Sequence, residues 1–279
     1  QDILDAIDLK AGELDVYEGS PPCKSFSVAG TRHKSWGQSK EYSSGVSQVA
    51  DDLFFEYTRL LNELQPKVFI AENVAGLVKG VAKGYFLEIL ARLKSCGYNV
   101  ECRVLDAQWL GVPQLRSRTI FIGVRNDLRL APVFPKPFPC RYSLREALAG
   151  MERNDKNLCY WLPDGKIKTC WNATPPGDTN GLCVYAKKIY GKETMITHYR
   201  TSFDKPSNTI KANAQDVYHP SEPRSFTIDE LKRICAFPDD FNMGSLSFAN
   251  QWERLGRSVP PLMMRSIAQT IVQEILCRI

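Results

Sequence analysis

The stretch from residue 53 to residue 73 constrains the fold most. Leu53, Phe54, Tyr57, Leu60, Leu61 and Leu64 recur at helical spacing, Pro66 closes that helix, and "KVFIAEN" follows as an apolar strand ending at Glu72 and Asn73. With the strand-like "LDVYEG" at 14–19 before it, this reads as a βαβ unit, in which the helix covers one face of two parallel strands. A second amphipathic helix carries Tyr85, Phe86, Ile89, Leu90 and Leu93 on one face and stops at Gly97. The strands "NVECRVLDA" and "RTIFIGVR" come next. The expectation is an α/β layer on a largely parallel sheet.

From about Leu128 the texture changes. "APVFPKPFPC" is a proline-rich connector, and the stretch to about Ser207 mixes Gly, Asn, Pro, Lys and isolated aromatics without a sustained period. Regularity returns at "TIDELKRICAFP", where Thr227 is placed as an N-cap and Glu230 as its capping-box partner. Two further helices, "SFANQWERLG" and "PPLMMRSIAQTIVQEILCRI", end the sequence. The expected division is a main domain over 1–127, a small irregular lobe over 128–202, and a return to the main domain over 203–279.

Composition excludes several classes. A chain of 279 residues, 43% hydrophobic, can bury an enzyme-sized core. Nine cysteines, an odd number with no CxxC pair, do not read as a disulfide framework or a zinc site and suit a reducing, cytoplasmic setting. No apolar run reaches the roughly 18 residues that span a bilayer, and "QDILDAIDLK" has no signal-peptide core. The net charge of +5 points to a polyanionic partner only where the charge is clustered. The irregular lobe holds such a mixture: Lys166, Lys168, Lys187, Lys188, Lys192 and Arg200 stand among Trp161, Trp171, Tyr185, Tyr190 and Tyr199. That suits phosphate positioning and groove contact, and equally a solvated surface over a small aromatic core.

The segment "EGSPPCKSFSVAG" sets Cys23 just beyond the carboxyl end of the first strand, where open α/β sheets place their chemistry. A lone cysteine is most often an inert small hydrophobe, but Lys24, Ser25 and Ser27 make this a polar loop in which a thiol can act as a nucleophile. Glu72 ends the next strand in "AENV", as either a capping carboxylate or a site residue. In "QLRSR", Arg116 and Arg118 stand two apart at a strand entrance and are expected on the same side of the chain, facing one site.

In order, "SPPCKSFS", "AENV", "QLRSR" and "RLGRSVPP" resemble the ordered motifs of the cytosine carbon-5 DNA methyltransferases. The likeness runs over residues 1 to about 125 and again from about 203 to 278, where "KPSNTI" and "RSFTIDELKRICAFPDDF" resemble the segment after that family's variable target-recognition region. It implies a Rossmann-like, S-adenosylmethionine-dependent methyltransferase fold with a small irregular target-recognition lobe. It also implies double-stranded DNA as partner and base flipping into the site. By the same likeness the Cys23 thiolate would add to carbon-6 of cytosine, Glu72 would contact N3 and the exocyclic amine, and Arg118 with Arg116 would hold the O2 edge. Asp2, Ile3, Leu53, Ser258 and Val259 would touch S-adenosylmethionine, and Lys24, Ser25, Ser27, Asn73 and Gln114 would lie against the DNA. The setting implied is a bacterial or phage restriction-modification system, cytoplasmic and nucleoid-associated.

Three departures qualify the likeness. Lys24 replaces the glutamine that commonly follows the family's cysteine, and Arg257 stands where an asparagine commonly precedes the serine. The glycine-rich cofactor motif is absent, and no "GxG" occurs anywhere. The expectation is therefore an N-terminally incomplete sheet, its missing part supplied in cis or by a separate polypeptide. A transfer-RNA cytosine-5 methyltransferase and a non-catalytic DNA-binding or regulatory relative stay open beside the enzyme. Retention of Cys23, Glu72, Arg116 and Arg118 together favours the enzyme.

Overall fold

A computed structural model describes residues 9–21, 40–41, 47–48, 53–78, 83–151, 159–212 and 215–279. Asp2, Ile3, Cys23, Lys24, Ser25 and Ser27 lie outside these residues. The chain divides into two units, one made of Gln1–Leu105, Ser117–Pro135 and Ile267–Ile279, the other of Asp106–Arg116 and Lys136–Ser266.

In the first unit β1 (Val16–Gly19), α1 (Leu53–Leu64) and β2 (Val68–Val74) form the anticipated βαβ unit, with β1 and β2 parallel and Val16 opposite Val68. After α2 (Lys83–Ser95) come β3 (Tyr98–Asp106) and β4 (Ser117–Arg125), giving the sheet order β1-β2-β4-β3. The sheet is mixed rather than largely parallel, because β4 pairs antiparallel with β2. The reason is the connection: residues 107–116 hold one short 3-10 turn and no crossover helix. A strand that returns over so short a link runs against its predecessor.

Alternation along β2 sorts the core. Phe69 and Ala71 join Phe121 of β4 against Phe54, Tyr57 and Leu61 of α1 and Ile89 and Leu93 of α2. Ile70, Ile120 and Ile122 are equally buried and point to the other face, which is the face that Glu72 and Arg118 share. Tyr57 ties α1 down by donating its hydroxyl to the carbonyl of Ile70 at 3.0 Å. Gly19 makes room for that ring, since a Cβ there would lie 2.7 Å from it.

Within the second unit the irregular lobe holds two helices that its broken periodicity did not reveal, α3 (Lys166–Ala173) and α4 (Leu182–Tyr190). Each begins after a glycine, Gly165 and Gly181, and buries only Cys170 and Trp171 or Leu182 and Ala186 against Tyr218. A stripe that short gives little period to read. Two-residue strands β5 (Tyr199–Arg200) and β6 (Val217–Tyr218) pair parallel beside them. Next come α5 (Ile228–Ile234), α6 (Phe248–Arg257) and, running on into the first unit, α7 (Pro261–Glu274). The capping box of α5 is formed as expected: Thr227 accepts from the Glu230 amide at 3.1 Å, and Glu230 accepts from the Thr227 amide at 2.7 Å.

His219 sits buried beside that box. Its Nδ1 accepts from the backbone amide of Glu222 at 3.2 Å, and Phe203 and Phe226 stand edge-on to the ring. Burial and the neighbouring Arg224 pull its pKa from 6.5 down to about 4, against the opposing pull of Glu230 and Glu222. A folded state that refuses the proton loses stability as the unfolded chain accepts it. The contribution is therefore complete above about pH 6.5 and is lost as pH falls towards 4, on the order of 3 kcal/mol in all. Urea midpoints across that window are expected to fall more steeply for the native chain than for His219→Gln. Equal slopes would remove His219 as the cause.

Candidate active site

The parallel register brings Gly19 of β1 level with Ala71 of β2, so both strands deliver the chain to the same edge of the sheet. Glu72, Asn73 and Val74 continue β2 past that level. There β4 begins, with Arg118 opposite Val74, Thr119 opposite Asn73 and Ile120 opposite Glu72. Glu72 and Arg118 are thus diagonal neighbours on one face, within reach of long side chains.

They meet. Arg118 Nε lies 2.7 Å from Glu72 Oε1, with the two side chains only 16% and 11% exposed. Arg118 Nη1 also donates to the carbonyl of Ser117 at 2.9 Å. Burial lowers the guanidinium's pKa from its ordinary value, while the carboxylate of Glu72 pulls it back up. An arginine in that position keeps its charge. The pair therefore offers acceptor oxygens and planar N–H donors side by side in a low-dielectric setting, complementary to a ring that presents a donor edge next to a carbonyl.

Asn73 takes the opposite face, as alternation requires. Its amide donates to the carbonyl of Pro21 at 3.1 Å and accepts from the Val74 amide at 2.8 Å. Thr119 donates to the carbonyl of Val74 at 3.1 Å. The strand end that carries Glu72 is thereby clamped to the chain two residues before Cys23. Asn73 was expected against DNA, and the structure gives it this internal bond. The signal was in "AENV": if Glu72 faces the site, the next residue faces away.

Leu53 opens α1 and is partly open to solvent. Arg116 and Gln114 belong to the other unit and are enclosed there, at 2% and 0% exposure. Arg116 donates to the carbonyls of Ile210 at 3.1 Å and Gly256 at 2.9 Å. It precedes the first residue of β4, Ser117, where strand alternation does not yet apply, so its spacing from Arg118 does not fix a common direction. Gln114 accepts from the Ile210 amide at 3.2 Å and donates to Ile234 O and Cys235 Sγ, both at 3.4 Å.

Trp252 completes this knot by donating to Lys211 O at 2.8 Å. Gly256 lets the segments touch, since a Cβ there would fall 2.6 Å from the backbone of Lys211 and Ala212. The knot was hidden in the sequence because its partners lie about a hundred residues apart. Ser258 caps α6, donates its hydroxyl to Leu255 O at 2.8 Å, and with Val259 is partly open.

Many of the lobe's cations are already engaged. Lys168 pairs with Asp164 at 2.7 Å, and Lys166 and Lys188 lie over Tyr190 and Tyr185, at 5.4 and 5.2 Å from the ring centroids. Arg200 stacks on Trp171 at 3.8 Å. Tyr160 and Trp161 are more than half exposed. Among the described residues no cluster of ligands for a metal ion occurs, and no helix is long and apolar enough to cross a membrane.

The first unit is thus an α/β layer that sets an enclosed carboxylate–guanidinium pair at the carboxyl end of its parallel strands. The C-5 cytosine-specific DNA methylase model matches residues 1–273, and the chain belongs to that family. Among similar proteins, the type II methyltransferase M1.HphI of Haemophilus parahaemolyticus is 30% identical, over 94% of this chain and 69% of its own length. M.MthTI of Methanothermobacter thermautotrophicus is 28% identical, over 96% and 82%. In three dimensions the chain is similar to a DNA modification methyltransferase encoded within an E. coli prophage, at TM-score 0.62 and 22% identity, over 93% of this chain and 78% of that one. The Entamoeba histolytica methyltransferase EhMeth matches at TM-score 0.60 and 14% identity, over 94% and 78%. These two share the fold.

Proposed function

We propose that the chain methylates carbon-5 of cytosine in double-stranded DNA, with S-adenosylmethionine as donor and Cys23 as a covalent nucleophile. The observation that carries this is the 2.7 Å contact between Glu72 and Arg118 at the edge where β1 delivers the chain towards Cys23. Carbon-5 of cytosine is too weak a nucleophile to take a methyl group unaided. Addition of the Cys23 thiolate to carbon-6 forms an S–C bond and moves a ring electron pair towards carbon-5. Glu72, at N3 and the exocyclic amine, and Arg118, at O2, hold the ring while that charge develops. Once carbon-5 has spent that pair on the methyl group a bound donor would supply, the donor leaving as its neutral thioether, loss of the carbon-5 proton to solvent returns a pair to the ring, breaks the S–C bond and frees Cys23.

These atoms are buried in a duplex, so the base must leave the stack, at a few kcal/mol. Arg116 is assigned to holding segments 210 and 256 rather than to the base. When bound, S-adenosylmethionine supplies an electrophilic methyl group. Leu53, Ser258 and Val259 keep the cofactor assignment that the motif likeness implies. Asp2 and Ile3 retain the same assignment from the motif likeness, as do Lys24, Ser25 and Ser27 on the DNA side.

Bisulfite sequencing of DNA from cells expressing the gene is expected to show protected cytosines confined to one short sequence context. Full conversion in cells making folded protein, or transfer of labelled methyl groups to transfer RNA alone, would overturn the DNA reading.

A further inference from the structure

The first unit carries a concavity at the end of its sheet away from Glu72 and Arg118. A cleft of about 660 Å³ is lined by Lys94, Tyr98, Asn99, Val100, Asn126, Arg129, Leu130 and Ala131. It opens where β4 ends and β3 begins, held closed at its base by the Asn126 amide donating to Gly97 O at 3.0 Å. Arg118 and Arg125 stand at opposite ends of β4, roughly 23 Å apart at about 3.3 Å per residue. The cleft is therefore separate from the Glu72 pair.

Its floor is apolar and its rim is cationic. Tyr98 and Val100 are buried, while Lys94, Asn99, Asn126 and Arg129 are exposed. The nearby carboxylates are neutralised by other arginines: Asp127 holds Arg125 through two bonds, at 2.8 and 3.1 Å, and Glu101 holds Arg103 at 3.2 Å. Among the described residues Lys94 and Arg129 have no ion pair, and the side-chain amides of Asn99 and Asn126 have no partner. Two uncompensated cations and two unspent amides thus converge on one cleft of ligand size. Arg129 moreover sits in the left-handed region, at φ 53° and ψ 29°, where a residue with a Cβ is disfavoured and glycine is not. An arginine held there at a conformational cost points to a use for its side chain.

We infer that this cleft binds a phosphate-bearing ligand, with Lys94 and Arg129 on the phosphate oxygens, the two asparagine amides beside them, and Tyr98 and Val100 under any apolar portion. Planar guanidinium and point-charge ammonium donors on one rim suit phosphate better than a single carboxylate. The phosphate has two conceivable sources, a free nucleotide or the DNA backbone beyond the target base.

Calorimetry with pyrophosphate and with ADP, and binding of a non-specific duplex over a range of salt, separate them. The variants are Lys94→Gln and Arg129→Gly. The glycine relieves the left-handed residue, so its melting temperature should hold or rise while the phosphate contact disappears. Saturable binding of pyrophosphate or ADP, weakened about tenfold or more by either variant, assigns the cleft to a free phosphate compound. A salt slope for duplex binding that drops by about one in each variant, without binding of the small anions, assigns it to the DNA backbone. Native and variant proteins alike in both measurements would overturn the inference. The measurements do not require turnover, and Cys23→Ala should bind the small anions as the native chain does, so loss of the proposed activity and loss of this site are distinguishable.

Discussion

Cys23→Ala is expected to abolish methyl transfer, to below about one-thousandth of the native rate, while leaving affinity for duplex DNA largely intact. The size follows from the chemistry, since a factor of a thousand corresponds to about 4 kcal/mol of barrier. No other group in the proposal can supply the electron pair that makes carbon-5 nucleophilic. A duplex with 5-fluorocytosine at the target position tests the covalent step directly. After addition and methyl transfer the ring must lose the substituent on carbon-5 as a cation, which a proton does and fluorine cannot. The native chain should therefore remain attached through Cys23 as a denaturant-resistant complex that needs S-adenosylmethionine, and Cys23→Ala should form none. Trapping by the alanine variant, or turnover near the native rate, would remove Cys23 from the nucleophile's role.

How far this site was legible in the sequence depends on the range over which each part is determined. Local signals were sufficient for the βαβ unit, where the spacing of Phe54, Tyr57, Leu61 and Leu64 and the stop at Pro66 mark α1 (Leu53–Leu64). They were sufficient too for the Thr227–Glu230 capping box. The sheet's direction change was not local. It followed from the short link between β3 and β4, which period alone does not weigh. The contact of Glu72 with Arg118 needs the antiparallel register of β2 and β4, so the motifs named both residues without showing that they touch. Arg116 shows the opposite case. Its motif position placed it beside Arg118, but its partners, Ile210 O and Gly256 O, are known only once the second unit is folded. The same distance in sequence hid the use of Gln114.

Replacing Glu72 by alanine is expected to cost about 3–5 kcal/mol of stability in addition to activity, because it leaves the largely enclosed guanidinium of Arg118 without the carboxylate it faces. A falling rate in this variant alone would not separate chemistry from folding, since an unfolded enzyme is also inactive. The paired replacement separates them. An enclosed ion pair exchanged as a whole for apolar residues of similar volume is often neutral in stability. Glu72→Leu combined with Arg118→Met should therefore recover most of the lost urea midpoint.

Methyl transfer should not recover with it. The apolar pair offers neither an acceptor for the exocyclic amine nor a donor for O2 as charge develops on the ring, and each such loss is worth a factor of about a hundred or more. Glu72→Gln completes the test: it keeps an acceptor against Arg118, so it should fold close to normally and still lose most of the rate at nearly unchanged DNA affinity. A double variant that regains activity along with stability would make the pair a brace for the sheet edge, and the proposed roles of Glu72 and Arg118 at the base would be withdrawn.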